Sequence, residues 1–528
     1  MIEWTFMTAN NDSLTQAAKS AAVLAIAMIF SQICGLLSKS IIGAFFGASA
    51  EVDCYMASNR LTETIFNLMA GGALASAFVP AFSALLDKDE KKDAWLLASH
   101  VANLLTFVLM IICVLGFIFA PQIVKYILVP GFSLNKPELQ AETVKLLRIQ
   151  LPSVLIFGLS GLMMGVLNAN QHFFFPGIAP AMYQVGILLG VVLLSPKFGV
   201  EGLAMGAVLG SLLHFLIQLP QLLMIKGKTY SFSLGLKDKS VRDIIKLMIP
   251  RQIGASAVQL NFLVNNYLAS YLAEGSISAI TWGLSLMLLP EAAIAQSTAT
   301  VALPMFSVQV ARGKISEMRS ALASVLRFVI LLAIPASVGL IILSRPIVQV
   351  VFQRRAFTPE MTDMVAWALV WYSAGLIGHC VVEVVSRAFY AMQDTKTPVF
   401  ILFVSMALNM LMSLGLTRLF GTLGVMPHGG LALANSIATG LEMCALLFFM
   451  RRKLSGLDGK RIWDAALKGL ISAAVMVVLV GIWLKISSGC TVLIVVLVGA
   501  LIGVASYMIM MVIFKMEEVS LVKKMLKR

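Results

Sequence analysis

The sequence predicts an all-α polytopic membrane protein of about 14 transmembrane helices, arranged as two parallel-repeat six-helix lobes followed by a C-terminal helix pair. Three observations predict it. The 528-residue chain is 59% hydrophobic and 12% charged, with mean hydropathy +0.91, whereas soluble domains carry roughly twice that charged fraction. Apolar stretches long enough to cross a bilayer, about 20 residues each, follow one another almost without pause. Two short motifs recur at nearly one offset.

Span 1, near 18–48, is the apolar stretch 21–47, too long for a cleavable leader and without a small-residue cleavage site. Span 2, near 53–86, stops at the charged turn Asp87-Lys88-Asp89-Glu90, and span 3, near 92–128, follows Lys91. That acidic run is interrupted by lysine, which suits a solvated loop better than a metal loop. Spans 4 and 5, near 139–170 and 175–195, flank Asn170-Gln171, and span 6, near 199–224, begins after Lys197. A lysine-rich loop, 225–240, leads to span 7 near 241–272, where Pro250 predicts a helix break. Span 8, near 277–310, starts after Gly275; span 9, near 317–343, after Arg312 and Lys314; span 10, near 360–391, after Arg354 and Arg355. Spans 11 and 12, near 397–418 and 428–450, end at Arg451-Arg452-Lys453. Spans 13 and 14, near 463–485 and 490–514, precede a basic tail. The organisation expected is therefore an N-terminal lobe 1–224, a cytoplasmic linker 225–240, a C-terminal lobe 241–450, and a final segment 451–528.

The net charge of +14 sits in the loops, so it reports membrane orientation and no nucleic-acid partner. Lysine and arginine crowd the loops after even-numbered spans, such as Lys226, Lys228, Lys237, Lys239 and Arg242, and thin out on the other side. Both termini are expected in the cytoplasm of a bacterial inner membrane. The six cysteines form no CxxC pair, which speaks against a zinc site or a disulfide framework. No Walker A, GxSxG or HExxH sequence is present, so a transporter without covalent chemistry is expected.

Pro80-Ala81-Phe82-Ser83 recurs as Pro304-Met305-Phe306-Ser307, an offset of 304 − 80 = 224. Ala169-Asn170-Gln171, four residues before Pro176 is reached, recurs as Ala391-Met392-Gln393 before Pro398, an offset of 398 − 176 = 222. Six spans separate the copies, so both run the same way through the membrane. Transporters built on such repeats hold substrate between the lobes and rock one against the other.

Charges within the bilayer cost about 2.5–3.5 kcal/mol on insertion scales, so they face a cavity or a partner. Arg60, Glu63 and Asn67 share a face of span 2, either lining a polar cavity or forming a self-neutralised pair that stitches helices together. His379, Glu383 and Arg387 repeat at i, i+4 on span 10, where the pair reading leads. Arg251, beside Pro250, suits a phosphate it can grip bidentately, and Lys39, following an expected bend at Gly35, is a second candidate. Asn261 and Asn265 on span 7, and Asn409 and Ser413 on span 11, form polar stripes that suit interhelical bonding, or a cation held by hard oxygen ligands.

Phe45-Phe46-Gly47-Ala48-Ser49, then Asp53, Gly71-Gly72-Ala73-Leu74 and Ala77-Phe78-Val79-Pro80, resemble the start of the MurJ (MviN) family. The most specific match is Ser386-Arg387-Ala388-Phe389-Tyr390-Ala391 continuing through Gln393-Asp394-Thr395-Lys396-Thr397-Pro398; Gly275-Ser276-Ile277-Ser278 and the Leu289-Pro290 turn also fit. The resemblance covers essentially the whole chain. It implies the fold shared with MATE exporters and polysaccharide flippases, and the flipping of lipid II, the peptidoglycan precursor. It also implies a cavity lined by arginines on spans 1, 2 and 8, and here the chain departs: Ser38, Asn67 and Ser285 stand at those positions, with Gln32 in place of another. Lys39, Arg60 and Arg251 are the candidate replacement cations, and Asp53 keeps the family acid. The resemblance further implies sodium, with Asn409, Ser413 and Thr439 at its ligand positions but without the family's carboxylate; membrane potential is the other energy source. Partners implied are lipid II or a related polyprenyl-pyrophosphate glycan, membrane lipids and the wall-synthesis machinery, with the protein a monomer. The rival readings are a flippase for another undecaprenyl-pyrophosphate glycan, a cation-coupled MATE-like drug exporter, and a membrane glycosyltransferase or scaffold, for which the short loops leave little room.

Overall fold

The computed structural model describes residues 27, 30–68 and 77–516. The Gly71-Gly72-Ala73-Leu74 motif, the N-terminal residues and the basic tail lie outside the described residues, and with them the orientation of both termini. Among the described residues every regular element is a helix. Ten helices are long and apolar enough to cross a membrane, or up to eleven if the bent pair Pro359–Ala374 and Leu376–Ala391 is one span. The three remaining predicted spans are a shorter apolar helix Phe30–Phe46, the 17-residue helix Ala50–Phe66 and Lys239–Ala269. The first two fall short in length, and all three carry candidate site residues: Lys39, Arg60 with Glu63, and Arg251 with the asparagine stripe.

The repeat is visible in element lengths. Span 3, Lys91–Ile118, and span 9, Ile315–Ile342, are both 28 residues and start 315 − 91 = 224 apart. Span 4, Pro137–Ala169, and the bent span 10, which opens at Pro359 and ends at Ala391, start 359 − 137 = 222 apart. Each is followed by a glutamine in the left-handed region, Gln171 at φ 62° and Gln393 at φ 58°, where the chain reverses without a glycine. Below Gln393 the turn is held by Asp394, whose carboxylate accepts from the Thr397 backbone N–H (3.1 Å), the Thr397 hydroxyl (2.9 Å) and Lys453 Nζ (2.6 Å). Burial pushes this carboxyl up, but the bonds from Lys453 and Thr397 outweigh it and hold it below the usual carboxylate range. With a depressed folded-state value, its contribution is complete above the ordinary carboxylate range, about pH 4, and is lost as pH falls through the lower value. Asp394→Ala should therefore lower thermal stability by about 1 kcal/mol at neutral pH, and the gap to the parent should close in acid; a pH-independent gap would assign the loss to packing instead.

Several boundaries differ from the expectations. Span 3 ends at Ile118 and is followed by Ala120–Ile123 and a π-turn Val124–Leu128, because Pro121 cannot continue the helix interior. Helix Phe30–Phe46 is continuous through Gly35, whose missing side chain admits Gln184, 3.7 Å from where a Cβ would stand. The helix break expected at Pro250 is absent from the backbone, which is helical from Lys239 to Ala269. The Leu289-Pro290 turn is helical too, with Pro290 inside Ser276–Glu291 and a π-turn, Ala292–Gln296, taking up the mismatch.

Two compact units form. The first holds the residues up to Phe46 and Ala50–Tyr271, the second Gly47–Ser49 and the chain from Leu272. In the first unit Phe78, Phe82, Trp95, Leu105, Leu109 and Val154 build a buried core, with Phe82 and Trp95 edge to face at 5.8 Å. Spans 5 and 6, Phe174–Phe198 and Val200–Met224, meet along a glycine seam. A Cβ on Gly186 would stand 2.1 Å from the Gly210 Cα, and one on Gly190 2.4 Å from the Gly206 Cα, the close backbone approach that small residues permit in membranes. The second unit packs span 9 against span 13, Gly459–Ile486, and span 13 against span 14, Val492–Ile513.

Candidate functional site

In the first unit the helix Ala50–Phe66 brings a polar stripe into an apolar bundle. Asn59 Nδ2 donates to Glu63 Oε1 at 2.8 Å, and Arg60 Nη1 donates to Glu63 Oε2 at 3.2 Å. The hydroxyl of Tyr183, on span 5, donates to Asn59 Oδ1 at 3.3 Å. The Arg60 guanidinium lies over the ring of Phe262, on span 7, at 4.8 Å, a favourable cation–π placement. Lys39 on span 1 feels the charges of both Glu63 and Arg60. Spans 1, 2, 5 and 7 thus converge on two cations and one carboxylate. The pair reading of Arg60 and Glu63 is realised at 3.2 Å, with Lys39 as a second cation beside it.

The other named residues take varied positions. Asp53 is buried at the start of span 2. Ser38 is buried next to Lys39, its hydroxyl without a hydrogen-bond partner. Asn67 is exposed, four residues beyond Glu63. Arg251 lies on the same helix as Phe262; its side chain is outside the described residues. Asn265 donates to Asn261 at 3.2 Å within span 7, which leaves the Asn261 amide nitrogen, the Asn265 oxygen and the neighbouring Asn266 nitrogen without partners.

In the second unit Ser285 donates to the Thr281 carbonyl at 2.7 Å, a bond within its own helix. Arg387 donates to Glu383 at 2.6 Å, as the spacing implied. Ser413 donates to Asn409 at 3.0 Å, while Thr439 meets His379 at 3.4 Å and His379 meets Asn435 at 3.1 Å. The three implied sodium ligands are engaged in two separate networks, and among the described residues no cluster of three metal-binding acids, histidines or cysteines occurs. A buried carboxylate is nonetheless near: Glu442 stands one turn beyond Thr439, while Ser405, one turn before Asn409, donates to the Ala438 carbonyl at 3.0 Å.

Sequence reasoning missed Asn59, Tyr183, Phe262, Glu291 and Glu442. Asn59 stands four residues before Glu63, a spacing that could have been read. Glu291, in an apolar run after Pro290, is an intramembrane carboxylate and so carried its own signal; it is buried, with Oε2 unpartnered. Tyr183 and Phe262 carry no such mark, since only the packing of spans 5 and 7 against span 2 recruits them.

A family model described as "Lipid II flippase MurJ" matches residues 42–503. The chain belongs to the lipid II flippase MurJ family. Among MurJ relatives, the "Probable lipid II flippase MurJ" of Vibrio cholerae is 30% identical over 461 residues, covering 85% of this chain and 86% of the relative. That of Bdellovibrio bacteriovorus is 30% identical over 466 residues, covering 87% of each. A solved "Lipid II flippase MurJ, inward closed conformation" matches with a TM-score of 0.78 at 27% identity, covering 93% of this chain and 98% of that one. A multidrug-resistance MATE transporter in an inward-facing conformation matches with a TM-score of 0.67 at 14% identity, covering 83% of this chain and 99% of that one, a likeness of fold alone. The MurJ family therefore accounts for the helical, multi-pass architecture and for the MATE-like fold expected from the sequence.

Proposed function

We propose that this chain flips lipid II from the cytoplasmic to the outer leaflet of the bacterial inner membrane by alternating access, without covalent chemistry. The observation that carries the reading is family membership across nearly the whole chain, and the Lys39–Arg60–Glu63 cluster gives it a chemistry. A pyrophosphate carries about two negative charges, and a guanidinium grips such a group through parallel N–H bonds. In the resting state Glu63 and Asn59 hold Arg60 in place. On headgroup entry Arg60 exchanges Glu63 for the pyrophosphate, Lys39 adds a second charge, and Arg251 completes the set that replaces the family arginines. The moving bodies are the halves of the repeat, 1–224 and 241–450, joined by 225–240.

The polyprenyl tail needs an apolar path. In the second unit a groove of about 460 Å³ between spans 8, 9, 13 and 14 is lined by Phe328, Leu332, Leu340, Met476, Val504 and Tyr507 among others. Its almost wholly apolar wall suits an isoprenoid chain. Outward movement of an anionic headgroup is favoured by an inside-negative potential, about 2.3 kcal/mol per charge per 100 mV, so the proposed cycle has no step through sodium.

The test is flipping of fluorescent lipid II in proteoliposomes against protein-free vesicles, with and without an imposed potential. Faster flipping with protein, accelerated by inside-negative potential, is expected. A folded protein that moves no lipid II but moves another polyprenyl-pyrophosphate glycan, or extrudes an amphipathic cation, would replace this reading with one of its rivals.

A further inference from the structure

The segment joining spans 6 and 7 does not loop freely away from the bundle. It runs along span 3 without regular secondary structure and is tied to it at five residues. Asn103 Nδ2 donates to the carbonyls of Ser231 and Ser233, both at 2.8 Å, and the Tyr230 hydroxyl donates to Asn103 Oδ1. Ser99 donates to the Thr229 carbonyl at 3.4 Å, and the His100 ring meets Asp238 at 3.3 Å. Gly235, at φ 59°, lies so close to the His100 ring that a Cβ would stand 2.3 Å from it.

Fastening this face leaves the other one uncovered. Tyr230, Phe232 and Leu236 are exposed, Phe232 at 95%. Leu223 and Met224, at the end of span 6, are exposed as well, so the strap continues an apolar surface that begins on a membrane-spanning helix. Exposed Lys226, Lys237, Lys239 and Arg242 flank it, with Asp243 the exposed acid beside them.

The depth of the strap follows from span 3. Its anchoring residues Ser99, His100 and Asn103 are the last polar group before the apolar stretch 104–118, in which Thr106 carries the one hydroxyl. The strap is thus pinned where the helix passes from polar to apolar surroundings, the level at which aromatic residues gather in membrane proteins.

We propose that residues 226–239 form a bilayer anchor that binds anionic phospholipid: Tyr230, Phe232 and Leu236 enter the acyl boundary while Lys226, Lys237 and Lys239 engage phosphate headgroups. Apolar insertion combined with a basic flank is the pairing that gives stable surface attachment. The anchor would fix the entrance of span 7, and it stands or falls apart from the flipping activity.

The experiment places an environment-sensitive dye at Phe232→Cys in a Cys444→Ser/Cys490→Ser background, since those two native thiols are exposed. Phe232 is exposed, its ring edge-on to that of Tyr230 at 6.0 Å, so the substitution spares the fold. The full chain is reconstituted in phosphatidylcholine vesicles with or without phosphatidylglycerol. The expected result is quenching by lipids spin-labelled near the headgroup, shielding from aqueous iodide, and enrichment of phosphatidylglycerol around the dye. Lys226→Gln/Lys237→Gln/Lys239→Gln should lower that enrichment at least about fivefold, the effect of roughly one surface lysine. Iodide quenching equal to that of free dye in both vesicle types would overturn the proposal. So would shielding that follows protein density rather than lipid composition, which would assign the face to a second copy.

Discussion

Arg60→Ala is expected to slow lipid II flipping by about tenfold to a hundredfold in proteoliposomes while leaving the protein folded. The range follows from one lost charge-assisted interaction, about 1.5–3 kcal/mol, at tenfold per about 1.4 kcal/mol. The loss has two parts. The guanidinium that would grip the pyrophosphate is gone, and Glu63, which had shared its carboxylate between Arg60 and Asn59, is left as a less compensated negative charge in the path of an anion. Arg60→Lys should recover part of the rate, because it restores charge without the fork. Arg60→Ala/Glu63→Ala should flip faster than Arg60→Ala alone. Wild-type rates for Arg60→Ala would remove the cluster from the transport path and leave the pair as a helix stitch.

Gly186→Ala is expected to lower thermal stability in detergent by about 3 kcal/mol, the upper part of the usual overpacking cost. A single methyl at this position would fall 2.1 Å from the Gly210 Cα, and a backbone atom cannot rotate aside as a side chain can. Spans 5 and 6 would have to separate, and Tyr183, one turn before Gly186, would shift from Asn59; flipping should fall along with stability. Gly415→Ala is the matched control, since a Cβ there meets nothing within 4 Å and alanine suits a helix better. If the two variants melt alike, the seam is not a close-packed contact.

How much was legible in the sequence depended on the physics of each element. Spans such as Lys91–Ile118 and Val492–Ile513 were readable because a bilayer demands an unbroken apolar run, and few other structures supply one. The repeat was readable because turns constrain sequence: Gln171 and Gln393 occupy the same left-handed position in each half. The Arg60–Glu63 and Glu383–Arg387 pairs were readable from spacing within one helix. Helix breaks were not. Pro250 was read as a break, yet its helix continues from Lys239 to Ala269, because the intrahelical bonds on either side outweigh a local weakness.

By itself, then, the sequence determined the membrane class, the order of the spans, the repeat and which charged residues interrupt the apolar helices, all properties set by hydropathy and motif spacing along the chain. Only the tertiary structure decided what those charges meet beyond their own helix. It brings Tyr183 and Phe262 to the span 2 stripe, closes the glycine seam, separates Thr439 from Asn409 into different hydrogen-bond networks, and lays the 225–240 segment along span 3. Each of these depends on contacts between residues tens to more than a hundred positions apart, which helix packing creates and local periodicity does not encode.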